Sequence, residues 1–166
     1  MLLLTKMTIE LKLLILLTVA NGAPIIAKKF MGSRFSLPID LNIILADGQP
    51  LLGPAKTWRG WLVAVAASGV AAPLLGISWT TGAVFGAAAM AGDLLSSFIK
   101  RRMKYPTSTM ALGIDQIPEA VVPCLVLKSV LALDWFNIGI IVGVFFIGEL
   151  LVSRFLFKLH IRDRPY

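Results

Sequence analysis

Residues 79–102 read WTTGAVFGAAAMAGDLLSSFIKRR, an apolar run rich in small residues that carries one carboxylate, Asp93, and ends in three cations. A helix crossing a bilayer needs about 20 mostly apolar residues, and Trp79–Ile99 has that length. A carboxylate at membrane depth is costly unless it is paired, hydrated or metal-bound. Lys100 follows Asp93 by seven residues, about 10 Å along a helix at 1.5 Å per residue. Asp93, Ser96, Ser97 and Lys100 recur at i, i+3, i+4 and i+7, so they share one helix face. That stripe makes a polar track from membrane depth to the surface. A structural ion pair closing a bundle would account for the charges, but the two hydroxyls and the cations that follow favour a functional site.

Four more segments flank this one: Leu11–Ala27, Thr57–Gly76, Asp115–Leu133 and Phe136–Phe157. The expected fold is an all-α integral membrane bundle of about five transmembrane helices in one domain of 166 residues, with a long loop between the first two. Composition agrees. Hydrophobic residues make up 57% of the chain and charged ones 15%, and the mean hydropathy is +0.84. Soluble domains are nearer a quarter charged. Ala64, Ala66, Ala67, Gly69 and Ala71 on one helix, and Gly82 and Gly86 on the next, let membrane helices approach closely. Packing alone explains that stripe.

The net charge of +7 would suggest nucleic acid in a soluble protein. Here it has a different distribution, with no basic–aromatic interleaving and no long basic stripe. Thirteen of the sixteen lysines and arginines fall on one predicted side: Lys28, Lys29, Arg34, Lys56, Arg59, Lys100, Arg101, Arg102, Lys104, Arg154, Lys158, Arg162 and Arg164. Lys6, Lys12 and Lys128 fall on the other. The positive-inside rule then puts the N-terminus outside and the C-terminus in the cytoplasm of a multi-pass cell-membrane protein. Lys6, the run Leu11–Val19 and the small residues Ala20–Ala23 fit a signal peptide in part, whereas Glu10 argues against cleavage. Trp58, Trp61, Trp79 and Trp135 stand near predicted helix ends, as interfacial anchors do. Cys124 is the one cysteine, so it makes no internal disulfide, and His160 is the one histidine, which excludes a histidine-rich metal site.

Other residues could join Asp93. Asp115 and Glu119 stand four apart at the start of the fourth helix, where the helix dipole alone favours acids. Asp115 enters the membrane on the side where the Asp93 helix leaves it. Oxygen-only carboxylate neighbours suit Mg²⁺, which keeps waters for substrate phosphates. Lys100-Arg101-Arg102 with Lys104 serves topology and, beside such a metal, phosphate oxygens. Gly53-Pro54-Ala55-Lys56-Thr57 opens the second helix, where free N–H groups bind anions. It is not a Walker A motif. Glu149, five residues before Arg154, reads equally as a packing contact or a site residue.

Together these motifs resemble the membrane CTP-dependent phosphatidate cytidylyltransferases, and most of all their archaeal CDP-archaeol synthase branch. The resemblance rests on Gly92-Asp93-Leu94-Leu95-Ser96-Ser97-Phe98-Ile99-Lys100-Arg101-Arg102 followed by Asp115-Gln116, on Val19–Pro24, on Pro38-Ile39-Asp40, and on Asp47-Gly48 with Gly53–Gly60. It covers residues 19–118. It implies transfer of CMP from CTP to 2,3-bis-O-geranylgeranylglycerol 1-phosphate with release of pyrophosphate. It further implies Asp93 and Asp115 as catalytic Mg²⁺ ligands and Lys100 as a catalytic cation. Asn21, Asp47, Lys56, Thr57, Ser97, Arg101, Arg102 and Gln116 would meet CTP or the lipid phosphate. The chain departs from the bacterial and eukaryotic pattern: only Gly113 precedes the second aspartate, Gln116 replaces an arginine, and no aspartate follows Lys104.

Two alternatives make different products. A CTP-dependent polyprenol kinase would yield CDP and a lipid phosphate. A small ion or solute transporter would move solute without nucleotide turnover, and it leaves Lys100–Lys104 and Gly53–Thr57 without a purpose.

Overall fold

A computed structural model describes residues 8–107, 109 and 111–158. Lys6, His160, Arg162 and Arg164 lie outside the described residues, as do the side chains of Arg154 and Lys158. Five helices follow in order: α1 (Ile9–Met31), α2 (Trp58–Leu74), α3 (Trp79–Arg102), α4 (Gln116–Val126) and α5 (Trp135–Lys158). Among the described residues the only extended pairing is two isolated antiparallel bridges, Pro38 with Thr57 and Ile44 with Pro50.

The helices close into a ring. Each packs on its sequence neighbours, α5 returns to α1, and α1 also touches α3. Leu13, Leu16, Leu17 and Ala20 from α1 meet Phe85 and Ala89 from α3, Ala120 and Cys124 from α4, and Ile138 and Ile141 from α5 in one apolar core. The small residues set the α2–α3 distance. A Cβ on Gly82 would stand 2.5 Å from Ser68 O, and one on Gly86 would stand 2.8 Å from Ala64 O. Ser78 caps α3 by accepting the Thr81 N–H, and Thr57 caps α2 by accepting that of Gly60. Among the described residues, two helices, α1 and α3, are long and apolar enough to cross a membrane.

One boundary departs from expectation. The fourth segment, expected over Asp115–Leu133, ends as a helix at Val126. Residues 127–134 instead form turns closed by Leu131 N to Leu127 O and Leu133 N to Lys128 O. Hydropathy recorded that Leu127 and Leu133 are buried, which they are from turns as well as from a helix. The connection from α4 to α5 is therefore longer than the short outer turn expected at Asp134–Trp135.

The α1–α2 loop is built and tied down. Asp40 is 3% exposed, and its carboxylate accepts N–H groups from Asn42 (3.1 Å), Leu52 (2.9 Å) and Gly53 (2.8 Å). Burial alone would raise the Asp40 carboxyl, but the bonds from Gly53, Leu52 and Asn42 outweigh it and hold the group below the ordinary carboxylate range. Arg59, also buried, donates to the carbonyls of Gly32 (2.9 Å) and Arg34 (2.5 Å). The Ile39 N–H bonds Lys56 O at 2.8 Å. These ties fix where residues 53–57 leave the loop and enter α2.

Candidate active site

Asp93 points into a cavity of about 650 Å³ whose lining includes Asn21 and Lys28 of α1, Lys56 and Thr57 at the start of α2, Glu119 of α4 and Glu149 of α5. Lys56 Nζ lies 2.6 Å from both Asp93 oxygens, and the two side chains are 22% and 19% exposed. The charges are therefore partly shielded but reachable from the cavity. Glu119 is 7% exposed, and its carboxyl lies within hydrogen-bonding reach of Asp93.

The approach of α4 depends on Gly92. A Cβ there would fall 2.6 Å from the Pro118 carbonyl carbon and 2.9 Å from Glu119 Cα, well inside normal contact. Only glycine lets α4 come this close, which is what places Glu119 beside Asp93. A glycine just before a membrane aspartate was the signal available in the sequence, but it says nothing about which helix uses the space.

The expected stripe on α3 is present. One turn beyond Asp93, Ser96 Oγ donates to Gly92 O at 2.9 Å and reaches Asp115 O at 3.3 Å. Lys100 Nζ then pairs with Asp115 Oδ1 at 2.5 Å and donates to Thr109 O at 3.0 Å. Asp115 thus stands beside the Lys100 end of the stripe, and the carboxyl next to Asp93 is Glu119. A second, smaller cavity of about 50 Å³ opens among Gly53, Lys56, Ser97, Lys100, Arg101 and Thr107. Ala55 and Lys56 line both cavities, so Lys56 is the charged side chain that joins the carboxylate end of the stripe to its cationic end.

The remaining expected residues divide by location. Asn21 lines the larger cavity, and its Nδ2 is buried without a protein partner. Arg101 lines the smaller one and donates to Pro106 O at 3.0 Å. Arg102 pairs with Asp47 at 2.5 Å, donates to Pro50 O at 2.7 Å and lies over the Phe98 ring, which clips the loop to the end of α3. Hydrogen bonding from Gln49 and Arg102 holds the Asp47 carboxyl below its ordinary range. Gln116 is fully buried and accepts the Gly113 N–H at 2.8 Å.

The carboxyl groups of Asp93 and Glu119 offer oxygen donors, which suit a hard cation such as Mg²⁺, and Lys56 Nζ now occupies the place beside both Asp93 oxygens. Among the described residues no cluster of three His, Cys, Asp or Glu side chains could hold a metal by itself. Two carboxylates would leave coordination positions to water and phosphate oxygens, the usual way Mg²⁺ is held beside a phosphorylated substrate. The donors fit a substrate-completed metal, and the Lys56 ammonium already sets positive charge against both Asp93 oxygens.

The comparisons with known proteins agree with this architecture. The family model described as CarS-like, CDP-archaeol synthase, matches residues 6–166. The chain is 32% identical to the CDP-archaeol synthase of Sulfurisphaera tokodaii over 154 residues, 89% of each chain. It is 36% identical to that of Pyrobaculum islandicum over 104 residues, 60% of this chain and 62% of the relative. A solved structure described as an intramembrane enzyme for archaeal membrane lipid biosynthesis superposes with a TM-score of 0.73 at 24% identity, covering 86% of this chain and 90% of that one, and it shares the fold. With a family model running over nearly the whole sequence and a relative matched along 89% of both chains, this chain belongs to the CDP-archaeol synthase family.

Proposed function

We propose that the protein transfers CMP from CTP to the phosphate of 2,3-bis-O-geranylgeranylglycerol 1-phosphate, giving a CDP-archaeol-type lipid and pyrophosphate in archaeal phospholipid synthesis. Family membership supplies the reaction, and the Lys56–Asp93–Glu119 cluster lining one cavity is the observation that supports a site for it. In the topology that fits the charge distribution, all five helices cross or enter the bilayer, the α1–α2 loop and the α3–α4 link face the cytoplasm, and CTP arrives from that side.

A lipid-phosphate oxygen attacks the α-phosphorus of CTP. The new P–O bond forms as the bond to the oxygen bridging toward the β-phosphate breaks, and its electron pair leaves with pyrophosphate. The attacking group is already anionic, so no strong general base is required. The barrier lies in bringing two anions together and in charge building on the leaving group, and fixed cations in a partly dry site act on both. Bound Mg²⁺ would polarise the phosphoryl group and neutralise the departing pyrophosphate. Asp93 would hold it. Glu119, lining the same cavity, would supply a second carboxylate; Asp115, the one the family motif implies, is paired with Lys100 as Asp93 is with Lys56, so each would exchange its ammonium partner for the metal. Lys56, Lys100 and Arg101 would meet the triphosphate, Ser97 and Thr57 would offer hydroxyls beside it, and the Asn21 amide would orient a substrate oxygen. Arg102 and Asp47 would keep the loop seated, and Gln116 would fix the turn before α4.

The test is incubation of purified protein with labelled CTP, Mg²⁺ and the prenylated glycerol phosphate. Labelled lipid and pyrophosphate are expected, with Asp93→Asn folded and inactive. Appearance of CDP with a lipid carrying only an added phosphate would refute the assignment in favour of a kinase.

A further inference from the structure

The segment that follows the cavity-lining part of α1 has two unlike faces. Its inner face, Lys28, Gly32, Ser33, Ser36 and Ile39, forms one wall of the large cavity. Its outer face exposes Phe30 (84%), Phe35 (74%), Leu37 (57%), Leu41 (63%) and Ile44 (69%). The exposed cations Lys29 and Arg34 are interleaved with these side chains, and exposed Lys28 stands at the cavity rim. The one acid in the stretch, Asp40, is turned inward onto backbone N–H groups.

This outer face is held in place. Arg59 fixes the carbonyls of Gly32 and Arg34, and Ser36 Oγ donates to Ser33 O at 2.7 Å. Phe35 and Leu41 even adopt φ of 56° and 49°, a left-handed conformation that bulky side chains rarely take. A chain that accepts that strain to present a phenyl and a leucyl group outward is poorly matched to water. Apolar side chains interleaved with lysine and arginine, free of exposed acid and continuous with a helix able to cross a membrane, match the headgroup boundary of an anionic leaflet.

We propose that residues 28–44 are an interfacial anchor, seated among anionic lipid headgroups, that holds the mouth of the cavity at the membrane surface where a lipid phosphate is presented. The kinetic consequence rests on the cytidylyltransfer reading; the seating does not.

Single cysteines at Phe35→Cys and Ile44→Cys can be spin-labelled in the full chain, because native Cys124 is fully buried. In vesicles containing an anionic phospholipid, collisions with oxygen should exceed those with a water-soluble nickel chelate at both sites. Greater nickel access, or spin–spin coupling between two copies across this face, would overturn the proposal whether or not the enzyme turns over. In the kinetic arm, Phe35→Glu with Ile44→Glu should raise KM for the vesicle-borne lipid phosphate about tenfold or more, with KM for CTP unchanged. Equal rises in both KM values, or none in either, would refute anchoring as the role of the segment.

Discussion

Gly92→Ala isolates how closely α4 must approach α3 for the site to work. The added methyl group would lie 2.6 Å from the Pro118 carbonyl carbon and 2.9 Å from Glu119 Cα, where ordinary contact begins near 3.4 Å. These neighbours are backbone atoms, so no side chain can rotate away. The two helices must separate by about 1 Å, and overpacking of this kind costs about 1–3 kcal/mol. Glu119 moves with α4 while Asp93 stays on α3, so the carboxyl pair opens by the same distance. A 1 Å misplacement in an active site can cost about 100-fold in rate. The expected result is a folded protein, melting a few degrees lower, with CMP incorporation into lipid reduced about 100-fold at saturating CTP. Gly143→Ala on α5, where a Cβ meets nothing within 4 Å, is the matched control and should retain normal activity. Full activity in Gly92→Ala, with unchanged melting, would refute the claim that the α3–α4 approach sets the site.

Three further outcomes are expected. Lys56→Met removes the cation bound to both Asp93 oxygens and should lower kcat/KM by about 10²- to 10³-fold; a change within threefold would remove Lys56 from the site. Because the folded Asp40 carboxyl titrates below its ordinary range, its stabilising bonds are complete above about pH 4 and are lost as pH falls through the lower folded value. Asp40→Asn should therefore be less stable than the parent at pH 7, by about 1–3 kcal/mol, and the gap should narrow as pH falls below about 4; a constant gap would contradict this. Stripping divalent cations with EDTA should abolish CMP transfer and added Mg²⁺ restore it; activity that survives chelation would exclude the metal.

Helices α1, α2, α3 and α5 were legible from their long apolar runs, and the small-residue stripes of α2 and α3 marked the faces on which those two pack. The end of α4 was not, since hydropathy scores Leu127 and Leu133 as buried without saying whether helix or turn buries them. On α3, the polar track was readable from spacing alone, and Ser96 and Lys100 do reach Asp115. The partner of Asp93 was harder: Glu119 and Asp115 lie on the same short stretch, and the choice between them depends on a backbone approach at Gly92 that no side-chain pattern encodes. Asp40 was invisible as a loop clamp because it binds residues 12 and 13 positions away, a non-local closure with no periodicity. Lys56 stood out only as half of a phosphate-loop pattern, yet it lines both cavities.

The brevity of α4 has a consequence for the host membrane. Its 11 residues extend only about 16 Å at 1.5 Å per residue, against a hydrocarbon layer about 30 Å thick. In the proposed topology the chain turns back before the far headgroups. Leu127 and Leu133 stay sheltered in the core, while Lys128 lies 4.0 Å from the Trp135 ring centroid. A thicker bilayer would drown that turn in acyl chains, whereas a thinner one would let its polar backbone reach water. Lipid chain length would then bear on how α4, and with it Glu119, sits against α3.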